Sequence, residues 1–130
     1  LGILDMCLEL DKSHPEYQNM YSLLKEFAEK MKQFQNKDGG YSSRIGMPSG
    51  VDSSVTAVAA YFYKKCGDLF ENKEYMKIAE KCQIALMRNT RRSGKIDFSQ
   101  GDTKGIGIYS GTFDIMPFTQ GMALRSRELK

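Results

Sequence analysis

The sequence predicts an all-α protein built of helical hairpins, and three observations predict it. Apolar residues recur at spacings of three and four in several separate stretches, the pattern of amphipathic helix. The connections between those stretches alternate between short and polar and long and glycine-rich, the rhythm of a hairpin array whose long links gather at one end. The last long link, inside residues 97–120 (DFSQGDTKGIGIYSGTFDIMPFTQ), lacks a helical period yet carries Ile106, Ile108, Tyr109, Phe113, Ile115 and Phe118. That is too apolar for disorder. An irregular segment of this length in a compact helical chain is expected to line a site.

The elements follow in order. Residues 1–10 read as a helix with Ile3, Leu4, Cys7 and Leu8 on one face. The chain opens on LGILDMCLEL, without an initiator Met and as if inside a helix, so a partial or trimmed sequence is expected. Ser13 with Glu16 three residues later reads as a capping box, and Pro15 suits a first turn. A helix from about residue 15 to 35 should follow, striped by Tyr17, Met20, Tyr21, Leu24, Phe27, Met31 and Phe34, and stopped by Asn36-Lys37-Asp38-Gly39-Gly40.

The next helix is capped by Asp52 or Ser53, faces inward through Val55, Val58, Ala59 and Phe62, and stops at Gly67. Its small residues permit close helix packing. Asn72 caps a further helix with the stripe Tyr75, Ile78, Ala79, Cys82, Ala85 and Leu86. The last helix starts near Pro117 and carries Phe118, Met122 and Leu124. The two long links, 36–52 and 91–116, should then lie on the same side.

Composition excludes several functions. At 130 residues, 41% hydrophobic and 27% charged, the chain is one domain's worth of globular protein. Nineteen basic against 16 acidic residues give a net charge of +3, too little for a nucleic-acid partner without a clustered patch. The one cluster, Arg88, Arg91 and Arg92, reads as a helix C-terminus. No apolar run is long enough to span a bilayer, so no membrane partner is expected. Cys7, Cys66 and Cys82 show no metal-ligand spacing and the lone His14 sits beside Pro15, so neither a metal nor another cofactor is expected. Cys7 and Cys82 read as core thiols. The run GDTKGIG fails as a phosphate loop, because Lys104 precedes Gly105 and no Gly-Lys-Ser/Thr follows.

The candidate site residues are polar groups on the long links. Asp52, Ser53 and Ser54 mark a helix N-terminus, which cradles anions or hydroxyls when it opens into a pocket. Arg44 can hold a carboxylate in two parallel bonds. Asp97, Asp102 and Asp114 could serve acid–base or sugar-hydroxyl contacts, with turn chemistry as the plainer reading of each. Asp102 stands best, between Gly101 and Thr103, where backbone can approach a ligand, and Tyr109 ranks with it. A single histidine beside a proline draws no nucleophilic triad.

The run SGVDSSVTAVAAYFYKKC, preceded by QFQNKDGGYSSRI, and the later run GDTKGIGIYSGTFDIMPFTQGMALRSREL resemble the corresponding segments of unsaturated glycuronyl hydrolases, glycoside hydrolase families 105 and 88. The resemblance implies that residues 1–130 are a single partial domain, the C-terminal part and about half of an (α/α)6 barrel. It implies an activity: removal of the unsaturated uronic acid that polysaccharide lyases leave, such as an unsaturated rhamnogalacturonyl unit. There an aspartate acts as general acid and base while water adds across a vinyl ether.

Such a family is two to three times longer, and its catalytic aspartate has no matching motif here, so the catalytic residue is unknown. The family's Glu-Thr-Ser at the helix start is Val51-Asp52-Ser53 here, and its sugar-stacking tryptophans are absent. The resemblance therefore implies substrate contacts at Arg44, Asp52, Ser53, Asp102, Thr103 and Tyr109, an unsaturated oligosaccharide as partner, and little turnover alone. The rival is a non-catalytic hairpin module that binds carbohydrate or a protein through the same loops. Either reading leaves hairpin faces exposed, and large apolar patches favour self-association.

Overall fold

A computed structural model describes residues 1–45, 50–101, 105, 108 and 110–128. Five helices appear among them: α1 (Gly2–Glu9), α2 (Tyr17–Lys32), α3 (Ser53–Leu69), α4 (Lys73–Arg88) and α5 (Pro117–Glu128). Between α4 and α5, β1 (Ser99–Gln100) and β2 (Phe113–Asp114) pair antiparallel, Ser99 opposite Asp114 and Gln100 opposite Phe113. The stretch expected to be wholly irregular therefore closes on itself through a short ladder.

α3 is the centre. It packs against α4 and α5, and α1 and α2 reach it from the other hairpin. That surround explains why its burial departs from the expected face. Thr56, Ala57, Ala60, Tyr61, Tyr63 and Cys66 are buried with Phe62, while Val55, Val58 and Ala59 are only half-buried. Buried tyrosine hydroxyls need partners, and Tyr63 finds one by donating to Ala28 O at 2.8 Å. Tyr41, stacked on Tyr63, is buried with no hydrogen-bond partner for its hydroxyl among the described residues.

Gly67 is not a stop. The helix runs on to Leu69, and a Cβ at residue 67 would lie 2.4 Å from Met76 Sδ, so the missing side chain lets α4 close against α3 at their turn. Asn72 then caps α4 as expected, its Oδ1 accepting from Glu74 N at 2.8 Å and Tyr75 N at 3.3 Å. All six residues of the predicted α4 stripe are buried.

Three expectations at helix ends are corrected. Ser13 forms no capping box: its N–H and hydroxyl both donate to Asp11 Oδ1, at 2.8 and 2.7 Å, so an aspartate turn upstream takes the donors. Glu16 is the N-cap of α2 with no side-chain cap bond. The same helix ends at Lys32, and Phe34 and Gln35 continue only as tightened turns. In α1, Leu4 and Cys7 face inward but Ile3 and Leu8 are exposed.

α5 begins at Pro117 as expected, yet it buries Thr119, Met122, Ala123 and Ser126 and turns Phe118 and Leu124 outward. Polar partners hold that face. The Thr119 and Ser99 hydroxyls lie 2.7 Å apart, and Gln83 Nε2 and Lys64 Nζ donate to Ser126 O at 2.9 and 3.2 Å. Arg125 lies over the Tyr61 ring, 4.8 Å from its centre. All three cysteines are buried and free; burial pushes the Cys66 and Cys82 thiols up to about 12.

Candidate functional site

The two long links meet at the start of α3. In the first, residues 36–40 form a turn in which Asn36 N donates to Gly40 O at 2.8 Å and Gly39 has φ of +94°. Gly40 has no room for a side chain, since a Cβ there would sit 2.6 Å from Val51 Cγ1. The chain then passes Tyr41, whose N–H donates to Thr56 Oγ1 at 3.0 Å, and Ser42 bridges to Val51. The link is thus pinned along the first turn of α3.

The second link arrives from α4. Arg91 N donates to Lys95 O at 2.8 Å, Thr90 bridges to Ile96, and Asp97 N donates to Asn89 O at 2.9 Å. α5 holds the same link: Gln120 both accepts from Ile96 N at 2.9 Å and donates to Ile96 O at 2.8 Å. Phe98 takes φ of +59°, which turns the chain so that its carbonyl accepts from Ser53 N at 3.0 Å.

Asp52 is the knot. It is the extended N-cap of α3 and almost fully buried. Its Oδ1 accepts from Ser54 N at 2.8 Å, Ser54 Oγ at 2.7 Å and Gln100 N at 3.3 Å. Its own N–H donates to Tyr41 O at 2.9 Å. One residue therefore ties both links to the helix, the first through its N–H and the second through its carboxylate.

Beside this knot lies a cleft of about 280 Å³ with a polar wall of Ser43, Asp52, Ser54 and Gln100 and an apolar wall that includes Met116 and Phe118. A second cleft of about 380 Å³, lined in part by Phe34, Asn36, Arg44 and Ile45, adjoins it and shares Ser43 and Val55. Gly101 at the rim carries no side chain for a reason: a Cβ would meet Ser110 Oγ at 2.8 Å.

The predicted site residues divide. Asp52 lines the first cleft and Arg44 the second, so the structure brings those two to one side. Ser53 lines neither; it is fully buried and its Oγ accepts from Asn89 Nδ2 at 3.0 Å. Asp102, Thr103 and Tyr109 lie outside the described residues. The open anion-binding helix start expected at Asp52 and Ser53 is corrected too, because the N–H groups of Ser53 and Ser54 are already taken by Phe98 O and Asp52 Oδ1.

The lower-ranked carboxylates are turn groups. Asp97 accepts from Phe98 N at 2.8 Å and pairs with Arg91; the Phe98 N–H first and the guanidinium second hold its carboxyl below the usual range. Asp114 Oδ1 accepts from Ile115 N at 2.7 Å.

Sequence reasoning passed over Ser43, Gln100, Met116 and Phe118 as site residues, and weighed Ser54 only as part of the helix start. Phe118 gave a signal that could have been read: at the first turn of α5, directly after the long link, an aromatic is as free to face a cleft as the core. No group of three histidine, cysteine or acidic residues stands close enough to hold a metal among the described residues. No helix there is long and apolar enough to cross a membrane. Chemically the arrangement offers acceptors, hydroxyls and an exposed ring along one cleft.

No protein-family model matches the sequence, and no curated protein does either. Solved structures do match the fold. A possible member of the GH105 family from Salmonella enterica superposes with a TM-score of 0.84 at 22% identity, over 95% of this chain and 35% of that one. A possible GH105 member from Klebsiella pneumoniae gives 0.82 at 20% identity, over 95% and 35%. A glycosyl hydrolase family 88 protein from Bacteroides vulgatus gives 0.81 at 19% identity, over 96% and 38%. The chain thus folds as a run of helical hairpins from an (α/α)6 barrel and spans little more than a third of the length of the structures it matches.

Proposed function

We propose that this chain forms part of the sugar-binding end of a glycoside hydrolase that removes unsaturated uronic acid from lyase-generated oligosaccharides. In that reading residues 1–130 are a single partial domain, the C-terminal portion of an (α/α)6 barrel. The observation that carries it is the convergence of both long links on Asp52 to make an amphipathic cleft, on a hairpin array with the fold of GH105 and family 88 structures. A sugar ring has the same two characters, hydroxyls at its edge and C–H groups on its faces. Asp52, Ser54 and Gln100 suit the first and Phe118 the second. Arg44 on the adjoining cleft suits a uronate carboxylate. Asp102, Thr103 and Tyr109, on the link that follows Gln100, belong to the same proposal, and Ser53 serves it only by holding α4 to the start of α3.

The chemistry of that reaction is hydration of a vinyl ether by an aspartate that both donates and removes a proton. Asp52 is engaged by three donors and Asp97 by Phe98 N and Arg91, so neither is offered as that group. Hence the chain alone should bind and not turn over. Calorimetric titration with an unsaturated uronyl disaccharide and its saturated counterpart tests this. The expected result is preferential binding of the unsaturated sugar, weakened severalfold by Phe118→Ala, with its ultraviolet vinyl-ether absorbance unchanged after prolonged incubation. Enzymatic loss of that absorbance would refute the inactivity. Absence of binding to either sugar would favour the hairpin module with a protein partner.

A further inference from the structure

A further cleft, of about 530 Å³, lies where the end of α2 and the turn after it pass α4. Its lining holds four lysines, Lys32, Lys37, Lys77 and Lys81, against one carboxylate, Glu74. That excess equals the +3 of the whole chain, so the remaining charges balance. Lys32 and Glu74 satisfy each other: Lys32 Nζ pairs with Glu74 Oε2 at 3.0 Å and with Glu29 Oε2 at 2.8 Å. The side chains of Lys37, Lys77 and Lys81 are exposed and make no ion pair or hydrogen bond among the described residues. Asp38 and Glu80, the acids beside them in sequence, stand outside the lining and pair with none of the three. Lys77 and Lys81 lie four residues apart on α4, a spacing at which like charges repel. The frame beneath them is fixed. Gln35 Nε2 donates to Gly39 O at 2.9 Å and to Ile78 O at 3.0 Å, which ties the turn carrying Lys37 to the helix carrying Lys77 and Lys81.

A cleft lined by one sign of charge concentrates ligands of the other, and two observations choose the ligand's chemistry. This cleft shares Gln33, Gln35 and Asn36 with the Arg44 cleft, which in turn adjoins the Asp52 cleft. Adjoining concave surfaces therefore lead from the sugar site past Arg44 to the three unpaired lysines. The lysine cleft also has no aromatic ring in its lining, where Ile78 is the one apolar residue. Nucleic-acid bases would have nothing there to stack on, whereas a saccharide with repeated anionic groups needs only the cations. We infer that Lys37, Lys77 and Lys81 bind the anionic groups of an acidic saccharide chain, in the part that continues beyond the terminal sugar. That the chain is a saccharide rests on the function proposed above; the preference for an anion rests on the lysines alone.

The test is calorimetric titration of the whole chain with a short saturated oligouronide, a sulfated oligosaccharide and a neutral oligosaccharide of equal length, and the unsaturated uronyl disaccharide. Either anionic chain should bind more tightly than the neutral one, and the stronger of the two tells carboxylate from sulfate. Lys77→Gln with Lys81→Gln keeps helix propensity and should bind the anionic chain roughly fivefold more weakly. Lys77→Arg with Lys81→Arg should match the unaltered chain, and far-UV circular dichroism checks that the helices persist in both. Added salt should weaken binding of the anionic chain, because the lysines are exposed. Disaccharide binding should be the same in all three proteins, since it uses the Asp52 and Arg44 clefts. A disaccharide that fails to bind, beside an anionic chain that still binds through the lysines, would refute the function proposed above and uphold the lysine site. Equal affinity for anionic and neutral chains, a glutamine variant as tight as the unaltered chain, or tighter binding of a single-stranded oligonucleotide of equal charge would overturn the inference.

Discussion

Gly39 and Gly94 both adopt positive φ, +94° and +82°, yet alanine should be tolerated at one and not at the other. A non-glycine residue in that region costs roughly 1–2 kcal/mol, offset by up to about 1 kcal/mol from the stiffer unfolded chain. At Gly94 nothing lies within 4 Å of where a Cβ would stand, so Gly94→Ala should cost about 1 kcal/mol or less by those two terms. At Gly39 the Cβ would lie 2.6 Å from Lys81 O and 3.1 Å from Lys81 C. Those are backbone atoms of α4, which cannot swing aside as a side-chain tip can. The first long link or the helix must move, at roughly 1–3 kcal/mol more. Gly39→Ala should therefore cost about 1–4 kcal/mol in all, at least about 1 kcal/mol more than Gly94→Ala. Urea unfolding followed by circular dichroism, with equal slopes for the two variants, gives both numbers. Equal costs, or a larger cost at Gly94, would refute the claim that the link is seated on the α4 backbone.

Two further predictions follow from the same physics. Asp52→Ala removes an N-cap, worth about 1 kcal/mol, and strands the Gln100 N–H, worth about 1–3 kcal/mol. Asp52→Asn keeps an acceptor and should lose less than about 1 kcal/mol. Urea unfolding that ranks the two alike would remove Asp52 from its place as the knot. The Cys66 and Cys82 thiols are raised to about 12 by burial, so the folded state favours their neutral form. Their contribution is whole below the ordinary thiol value of 9.0 and declines as pH rises from there toward about 12. By pH 10 roughly 1.4 kcal/mol per thiol should be lost, seen as a lower urea midpoint, and both thiols should resist a disulfide reagent until the chain unfolds.

What was legible in the sequence was local. The α4 stripe, the Asn72 cap and the Pro117 start need only residues within one or two turns, and a 3.6-residue period reports them directly. The meeting of the two long links was legible as well, because hairpins with alternating connections leave little choice of side. The buried face of α3 was not, since a helix covered from several sides has no single apolar stripe to read. Nor was the face of α5, where Thr119 and Ser126 are buried in place of Phe118 and Leu124.

The candidate site shows the same division. The chain by itself supplied Asp52 at a helix start, Arg44 on a long link and a resemblance to two hydrolase families. It could not say that Asp52 Oδ1 meets Gln100 N, 48 residues away, or that Asn89 claims the Ser53 hydroxyl from 36 residues away. Nor could it show that Gly67 is a close approach to Met76 and no helix stop. Period and capping are written in neighbouring residues. Which polar group is buried and satisfied depends on partners brought near only when the hairpins pack. That is why the fold class followed from the sequence, while Ser53 separated from Asp52, and Phe118 joined it, only once the helices were in place.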